Sequence, residues 1–474
     1  MNVPRRLKGM EDVGPEAAQT MDWAAGTLCS FMARYGYKRV DTPLLEETEL
    51  LLRKSGGELA SKMYTFTDPG GHRVSLRPEF TSSIVRAYLQ GMGQGGSIPM
   101  RWAYVGPVFR YEEDNAGSRQ FIQVGAEIIG AAGPWADAEV MAIAAKGLSQ
   151  LGVSGHRLVV GHLGVVNALL DDLGISDRGR LFLLNNVGAL SRGAEGFREV
   201  KERAEGLGLL PGQNGMEKAA TTITSEAALA LLEQYSQRPP ASSIGVRTPE
   251  EIRERFLRKQ RFARDGGQFL GALESVSKLA QVQGKPSQAL KAVRPMLRSS
   301  EAKGALKSAE ETLAAFSSYD TGVPVSLDFG LARGIAYYTG LVFDIRHPAQ
   351  GTVPLGGGGR YDGLVQALGG SESTAAMGFA WSLERVVDVL KSERGTINAS
   401  APRRNAFIVR PQSADATSAA LLEAERLREQ GETVYLETDA VPLAESVSRA
   451  RRQGVSQVIT VSADGSVRHR KVAD

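Results

Sequence analysis

The sequence predicts an α+β protein with an antiparallel sheet core, flanking helices, a helical insertion and a small C-terminal α/β domain. Strand-like runs at 100–108 and 120–129 follow one another without a helical crossover, which is typical of antiparallel pairing. From about residue 165 to 320, Ala, Leu, Glu, Arg and Lys recur at helical spacing, with breaks at 211–212, 239–240 and Gly284. Beyond residue 404, short apolar runs alternate with helical segments as a βαβαβ unit.

The first part of the predicted core covers residues 1–165. Ala, Met, Trp and Leu recur at helical spacing over 15–36, which predicts a helix that ends at Gly36. The run 38–45 then predicts a strand that turns at Pro43. Further strands are predicted in three apolar runs: 74–76, 100–108 and 120–129.

Changes in composition set the other predicted boundaries. The predicted units are a helical insertion at 166–320, a second part of the core at 321–392 and a C-terminal α/β domain at 404–474. Strands are predicted at 325–329 and 341–346 within the second part of the core. The segment 391–404, with Gly, Asn, Ser and Pro, is predicted to be a linker.

The bulk composition excludes several classes of protein. An apolar fraction of 42% is ordinary for a soluble domain, and no run approaches the ~18 apolar residues of a membrane span. The charged N-terminus lacks the apolar segment of a secretory signal, which favours the cytoplasm. Cys29 is the only cysteine, so we expect no disulfide and no metal site built by protein ligands alone. A net charge of +3 does not demand a nucleic acid partner.

Polar side chains follow the predicted strand pair. In a regular strand Gln123, Gly125 and Glu127 face the same side, and the glycine between two polar side chains leaves room for a small polar ligand. Arg110, at the end of the preceding strand, is suited to hold a carboxylate or a phosphate in a bidentate fork. The alternative is a solvated strand edge with surface ion pairs.

A second polar segment surrounds Pro78. Glu79 and Thr81 share a face if this stretch is extended, and a carboxylate beside a hydroxyl suits an ammonium group. The alternative is a helix N-terminus capped by Thr81.

A third segment contains Arg333, Tyr337 and Tyr338. An arginine in an apolar stretch requires an anionic partner, whereas paired tyrosines also serve as core aromatics. Four glycines follow at 356–359, and Gly357, Gly358 and Gly359 permit close approach of a ligand or simply a tight turn. The segment 378–385 then predicts a strand that continues into a helix carrying Arg385.

The order of these segments resembles that of the histidyl-tRNA synthetase family of class II aminoacyl-tRNA synthetases, over nearly the whole chain. Residues 333–340, Arg-Gly-Ile-Ala-Tyr-Tyr-Thr-Gly, resemble the histidine-specific signature of that family. The segment 109–127 resembles class II motif 2, and 378–385 resembles motif 3. The region around Pro43 resembles motif 1, the dimerisation element, which implies a homodimer. The C-terminal domain is similar to the family's anticodon-binding domain, and we expect it to be truncated before the last helix.

The resemblance implies seven histidine-binding residues: Glu79, Thr81, Gln123, Glu127, Arg333, Tyr337 and Tyr338. Among them Glu127 and Tyr338 would hydrogen-bond the two ring nitrogens of histidine, and Arg333 would meet its carboxylate. Glu79, Thr81 and Gln123 would hold its ammonium group. A ligand without ring donors would leave buried polar groups unpaired, so this pocket would be selective.

The resemblance also implies an ATP site, for which Arg110, Glu112 and Arg385 are candidates. Adenylation requires cations because charge develops on the α-phosphate in the transition state. Here the loop after Glu112 has lost the arginines that the family carries, and it has gained the acids Glu113 and Asp114. Such a loss is expected to slow phosphate chemistry by orders of magnitude.

Three further positions depart from the family's pattern. Ser382 stands where a glycine lets adenine pack closely, and the bulky Trp381 precedes it. Ala336 replaces the aspartate of the histidine signature. These departures lie in the ATP elements and the signature loop, whereas all seven histidine-binding positions are retained.

Two functions therefore stay open, and a third is a variant of the second. The favoured one is a non-catalytic, histidine-binding regulatory subunit of ATP phosphoribosyltransferase, which would partner a short-form catalytic subunit and require no cofactor. The second is a divergent histidine–tRNA ligase that uses ATP and Mg²⁺ and binds tRNA. The third adenylates histidine for another acceptor. The anticodon-like C-terminal domain argues for a ligase, since regulatory subunits usually lack it.

Overall fold

A computed structural model of the chain describes residues 4–53, 56–92, 99–111, 118–210, 267–333, 337–395, 406–437 and 441–472. The chain divides into two compact units, Met1–Ile397 and Asn398–Asp474. In the described part of the chain, no helix is long and apolar enough to cross a membrane.

A nine-stranded sheet forms the centre of the first unit, in the order β1-β5-β6-β12-β11-β10-β7-β9-β8. The strands are β1 Lys38–Arg39, β5 Met100–Phe109, β6 Gln120–Ile129, β7 Arg157–His162, β8 Gln283–Gly284, β9 Val325–Asp328, β10 Leu341–Arg346, β11 Gly356–Arg360 and β12 Ala376–Ser382. From β5 to β7 every neighbouring pair is antiparallel, which confirms the predicted core. The pairs β1–β5 and β7–β9 are parallel.

A separate three-stranded sheet lies between the first helix and β5. Its strands are β2 Leu45–Glu47, β3 Thr65–Thr67 and β4 Arg73–Leu76, in the order β2-β4-β3. The single strand predicted at 38–45 is thus two short strands in different sheets, because the chain leaves the large sheet after Arg39 and passes through Pro43 before it pairs again.

The helices of the first unit flank the sheets. They are α1 Pro15–Ala33, α2 Thr48–Leu52, α3 Gly56–Ser61, α4 Thr81–Leu89, α5 Pro134–Leu151, α6 Leu163–Asp172, α7 Asp177–Leu190, α8 Ala194–Gly206, α9 (267–280), α10 Pro286–Val293, α11 Ser300–Ser317, α12 Leu364–Ala367 and α13 Leu383–Arg394. Short 3₁₀ turns lie at Arg294–Met296 and Pro348–Gln350. The predicted first helix ends three residues before Gly36, and α13 occupies part of the predicted linker.

Alternation along the central strands separates the two faces of the large sheet. Val124, Ala126 and Ile128 on β6 are buried in the main hydrophobic cluster with residues of α1, α5 and α13. Their neighbours Gln123 and Glu127 therefore project from the opposite face. The apolar face of the sheet is closed by helices, and the polar face is left to form the functional site.

The predicted insertion shares the core of the sheet. In its described part, α6 to α11 are helical, and their apolar side chains join the same hydrophobic cluster as those of α5. Helix α11 packs directly on α5 and α6. Gly284, predicted as a break between helices, lies in the short strand β8, which extends the edge of the large sheet. The predicted breaks at 211–212 and 239–240 lie outside the described residues.

The second unit is a four-stranded sheet with two helices. Its elements are β13 Ala406–Pro411, the 3₁₀ turn Ala414–Ala416, α14 Thr417–Glu429, β14 Thr433–Leu436, α15 Leu443–Arg452, β15 Gln457–Val461 and β16 Val467–Lys471. The strand order β14-β13-β15-β16 contains parallel pairs from β14 to β15, which confirms the predicted βαβαβ pattern. Strand β16 adds an antiparallel edge that the sequence pattern had not indicated.

Candidate functional site

A cavity of about 360 Å³ opens on the polar face of the large sheet. Its volume suits a small molecule. Of the residues predicted to bind histidine or ATP, eight line this cavity, together with the predicted ligand-approach glycine Gly357: Glu79, Thr81, Arg110, Gln123, Arg333, Tyr337, Tyr338 and Arg385. Glu127 lies just behind its wall, and Glu112 lies outside the described residues, as do Glu113, Asp114 and Ala336.

Glu79 and Thr81 meet at the N-terminus of α4 and do not belong to an extended stretch. The backbone N–H groups of Thr81 and Ser82 donate hydrogen bonds to the Glu79 carboxylate, at 3.1 Å for Ser82. Glu79 therefore caps the helix, and the Thr81 hydroxyl is free to donate elsewhere. The expected extended geometry was wrong, and so was the expected capping residue, but both side chains still reach the cavity.

The carboxylate of Glu127 is enclosed by three hydroxyl groups. Oε1 accepts hydrogen bonds from Thr81 at 2.8 Å and from Tyr104 at 3.0 Å, and Oε2 accepts one from Tyr361 at 2.6 Å. Burial raises the pKa of Glu127 to about 8. The three hydrogen bonds act in the opposite direction and lower this pKa, while the charge of Glu79 raises it. All three hydroxyls belong to residues that line the cavity, so Glu127 acts on the cavity through them.

The paired tyrosines are buried around the same point. Tyr337 donates a long hydrogen bond, 3.5 Å, to Oε2 of Glu79, and its ring meets those of Tyr338 and Tyr361 edge to face. Burial raises the pKa of Tyr338 to about 12, although the nearby Arg333 lowers it. Both hydroxyls are therefore neutral donors at physiological pH.

Arg333 has an anionic partner inside the protein. Its Nη1 group forms an ion pair with Asp344 and donates a hydrogen bond to the backbone oxygen of Phe343 at 2.8 Å. Its Nε, like Oε1 of Gln123, is a buried polar atom without a partner among the described residues. An unpaired donor and an unpaired acceptor are costly inside a protein, so we expect these two side chains to adjust to a ligand that pairs with them.

Four cationic side chains line the cavity. Arg110 donates from Nε to the backbone oxygen of Pro78 at 2.9 Å, and burial lowers its pKa. Arg385 donates to the backbone oxygen of Pro354 at 3.0 Å. The remaining two are Lys62 and Arg333. Among the described residues the cationic charge of the lining exceeds what a single ligand carboxylate requires, since these residues include just two acids, Glu79 and Asp344.

The glycines of β11 make room for neighbouring side chains, and Gly357 also lines the cavity. A Cβ atom at Gly357 would lie 1.7 Å from Nη1 of Arg333, and one at Gly359 would lie 2.8 Å from the Tyr338 ring. A Cβ atom at Gly358 would contact Phe379. Gly357 and Gly359 therefore leave room for two side chains of the site, and Gly358 and Gly359 do not line the cavity.

Gly125 does not leave room for a ligand either. It pairs with Tyr104 across β5 and β6, and a Cβ atom there would lie 2.6 Å from the Tyr104 hydroxyl. The space between Gln123 and Glu127 is thus taken by a tyrosine of the neighbouring strand.

Trp381 and Ser382, the two departures from the family's pattern at the end of β12, have different surroundings. The Trp381 side chain is fully buried in the helical layer, where its Nε1 group donates to the backbone oxygen of Ala144 at 3.1 Å. The side chain is thus directed toward the helices, although Trp381 is also among the residues that line the cavity. Ser382, opposite Gln123 on β6, is buried and lines the cavity directly.

Four polar residues of the described lining were not assigned from sequence: Lys62, Tyr104, Asp344 and Tyr361. Tyr361 follows the four glycines at 356–359 after one residue, so its proximity to that motif was an available signal. Tyr104 and Asp344 occupy strands predicted as apolar, and only the strand pairing directs them to the site.

The sequence profile of the histidyl-tRNA synthetase family matches residues 9–234 and 264–386. The chain belongs to the histidyl-tRNA synthetase family. The match covers both parts of the sheet core and every described residue of the cavity. Family membership accounts for the mixed α+β architecture and for the order of the polar segments.

Relatives of similar length are found in archaea. Proteins named histidine–tRNA ligase from Pyrococcus horikoshii and Methanocaldococcus jannaschii are 28% and 29% identical to this chain over 458 and 461 residues. These matches cover 96% of this chain and 90% and 91% of the two relatives. The similarity thus extends through the second unit.

Solved structures of the family share the fold. An ATP phosphoribosyltransferase regulatory subunit/histidyl-tRNA synthetase from Bacillus halodurans superposes with a TM-score of 0.67 at 22% identity and covers 98% of this chain and 100% of its own. The apo histidyl-tRNA synthetase of S. aureus superposes with a TM-score of 0.62 at 23% identity and covers 100% of this chain and 97% of its own.

Proposed function

We propose that this protein binds free histidine in the cavity and serves as the histidine-sensing regulatory subunit of ATP phosphoribosyltransferase. In this role it would support the first step of histidine biosynthesis and its feedback inhibition by histidine. The partner would be a short-form catalytic subunit. The single observation that carries the proposal is the hydroxyl-enclosed Glu127 beside Glu79, because it provides polar groups for both ends of a histidine molecule.

The cavity offers complementary groups for each part of the ligand. Glu79 and Gln123 would accept hydrogen bonds from the ammonium group, and Arg333 would pair with the carboxylate. The ring would meet the hydroxyls of Tyr104 and Tyr361, which are held by Glu127. A side chain without ring nitrogens would leave these buried groups unpaired, so the site favours histidine over apolar amino acids.

The ATP end of the site supports sensing over activation. Ser382 occupies cavity space where the family's glycine lets adenine pack, and it is buried. In the motif 2 loop, Glu113 stands where the family has an arginine, and Asp114 adds a second acid. Added acids repel a triphosphate, so these changes weaken nucleotide binding, and none of them replaces a residue assigned to histidine.

A second role, histidine–tRNA ligase, is favoured by one observation. Lys62, Arg110, Arg333 and Arg385 line the same cavity as the histidine contacts, and this is more cationic charge than a histidine carboxylate requires. Such a cluster would stabilise the α-phosphate of ATP during adenylation, with Mg²⁺ bound by the triphosphate. The archaeal relatives named histidine–tRNA ligase match nearly the whole chain, including the second unit that would contact tRNA.

Histidine-dependent exchange between ATP and pyrophosphate separates the two roles. The purified chain is assayed beside Glu127→Ala, and Asp388→Ala on the exposed side of α13 serves as the surface control. The regulatory role predicts no exchange, together with calorimetrically measurable histidine binding that Glu127→Ala abolishes and Asp388→Ala preserves. Robust exchange by the wild type would overturn the regulatory role and support the ligase.

Co-purification tests the partner directly. A short-form ATP phosphoribosyltransferase from the same genome is expressed with this chain, and the complex is isolated on a tag carried by one of them. The regulatory role predicts a stable complex whose activity falls when histidine is added. A catalytic subunit that neither binds this chain nor responds to it would contradict the proposal.

The proposal includes a cytoplasmic homodimer. Leu45 and Phe66 project from the same face of the small sheet and are 45% and 46% exposed. Apolar side chains exposed together favour burial against another chain, and they lie next to the Pro43 region. Light scattering after gel filtration should report twice the chain mass of 50.8 kDa. A monomer at micromolar concentration would contradict this part of the proposal.

A further inference from the structure

Arg77 is a fully buried arginine without a close acidic partner. It is 1% exposed, and its nearest described carboxylate, that of Asp41, lies 3.9 Å away on a side chain that is 75% exposed. A buried guanidinium needs hydrogen-bond acceptors or aromatic faces to replace water. Its neighbours therefore show what this charge holds together.

The guanidinium connects two parts of the backbone. Nη1 donates to the backbone oxygen of Thr42 at 2.6 Å and to its hydroxyl at 3.2 Å, and Nε donates to the backbone oxygen of Pro107 at 3.0 Å. Gly106 makes this possible, because a Cβ atom there would lie 2.6 Å from Nη2 of Arg77. Arg77 thus joins the segment between β1 and β2 to strand β5.

The same guanidinium covers an aromatic stack that ends at the proposed histidine site. It lies 3.7 Å from the centre of the Phe80 ring. Phe80 is stacked on Tyr104, with ring centres 4.3 Å apart and an angle of 11° between the planes. The Tyr104 hydroxyl donates to Glu127 at 3.0 Å. One continuous series of contacts therefore runs from Thr42 to the carboxylate behind the cavity.

We infer that Arg77 is a positioning residue of the histidine site, which orients the Tyr104 hydroxyl toward Glu127 by holding Phe80 in the stack. A cation over a desolvated aromatic face fixes the position of the ring more strongly than apolar packing does. Loosening Arg77 would disturb the Tyr104 hydroxyl, one of the three that enclose the carboxylate.

The inference rests on the proposed function, because histidine affinity is its main readout. Titration calorimetry is performed on the full chain for wild type, Arg77→Lys and Arg86→Lys. Arg86 is the control: it is a partly buried arginine, with a side chain 23% exposed, that joins α4 to the strand β2 through Glu46, and its described contacts do not include Phe80. We expect Arg77→Lys to weaken histidine binding about tenfold and Arg86→Lys to leave it within about twofold.

A double-mutant cycle tests the route through Tyr104. If Arg77 acts by way of Phe80 and Tyr104, Arg77→Lys should add less than about twofold to the effect of Tyr104→Phe. If Arg77→Lys still weakens histidine binding tenfold in the Tyr104→Phe background, the inference is overturned. It is also overturned if Arg77→Lys alone binds histidine with wild-type affinity. Should Arg77→Lys fail to fold, Phe80→Leu keeps an apolar contact and removes the aromatic face, and the same outcomes apply to it.

A second readout needs no histidine. The three hydroxyls facing Glu127 are those of Thr81, Tyr104 and Tyr361, and the charge of Glu79 also raises the pKa of Glu127. The Tyr104 hydrogen bond lowers the pKa of Glu127, so its loss in Arg77→Lys should raise that pKa. The pH range over which the unfolding temperature depends on Glu127 should then move to higher pH in Arg77→Lys and stay unchanged in Arg86→Lys. If wild type binds no histidine, the proposed function fails, and this pH profile alone decides the role of Arg77.

Discussion

The hydroxyl of Tyr361 donates a hydrogen bond of 2.6 Å to Oε2 of Glu127, across 234 positions of the chain. Both residues are about 1% exposed. Gly378 makes the contact possible, because a Cβ atom at that position would lie 1.5 Å from the same oxygen. The pair joins strand β6 to the segment after β11 at the ring end of the cavity.

Replacing Tyr361→Phe should weaken histidine binding about tenfold, or ~1.4 kcal/mol, because a hydrogen bond to a carboxyl group is lost while the ring volume is kept. Titration calorimetry measures the change. Tyr435→Phe, an exposed tyrosine of the second unit, should bind like wild type. Unchanged affinity in Tyr361→Phe would show that this hydroxyl does not support the ring-binding groups.

Glu127 should make the stability of the protein depend on pH. Its folded pKa of about 8 lies above the ordinary value of 4.5, so between these values the folded chain holds a proton that the unfolded chain has released. The stabilisation is complete below pH 4.5 and is lost as the pH rises through about 8, by at most about 1.4 kcal/mol per pH unit. The unfolding temperature of the wild type should therefore fall, relative to that of Glu127→Gln, as the pH rises from 5 to 8. Parallel pH profiles would contradict the raised pKa.

Gly357→Ala should displace Arg333. The added methyl group would lie 1.7 Å from Nη1 of Arg333 and 2.2 Å from the backbone oxygen of Phe343. We expect at least a tenfold loss of histidine affinity, or ~1.4 kcal/mol. Gly363→Ala is the matched control, since the nearest atom to its methyl group is 4.0 Å away. Equal affinities for the two variants would mean that Arg333 takes no part in binding.

The buried ion pair between Asp137 and Arg360 should matter for stability. Both side chains are at most 10% exposed, and Arg360 also pairs with Asp362 at 2.8 Å. Asp137→Asn should lower the free energy of unfolding by about 3 kcal/mol, because it leaves a buried guanidinium undercompensated. Glu310→Gln, which breaks the exposed pair with Arg294, should cost less than about 0.5 kcal/mol. Chemical denaturation compares the two, and similar losses would contradict the distinction.

Much of the fold follows from local patterns. Strands β6 and β10 were predicted with their observed limits, and β5 was predicted one residue short. The reason is that period-2 alternation and apolar runs are local consequences of one buried sheet face. The seven residues predicted to bind histidine came from motif resemblance, and the structure gathers them in and directly behind one cavity.

The roles of individual side chains were less accessible. Glu79 was expected in an extended stretch and instead caps α4. The glycine run was expected to permit close approach of a ligand, and the sequence did not indicate that Gly357 and Gly359 also accommodate Arg333 and Tyr338. In each case the sequence identifies a residue type suited to the site, while its contacts depend on which element packs against it.

By itself, the sequence determined the α+β architecture, the identity of most site residues and their resemblance to histidine recognition. Only the tertiary structure decided that Tyr104 and Tyr361 enclose Glu127, that Asp344 pairs with Arg333, and that four cations share one cavity. The physical reason is that periodicity records the burial of a residue along its own element. Hydrogen bonds and ion pairs join residues hundreds of positions apart, and their partners are chosen by strand register and packing.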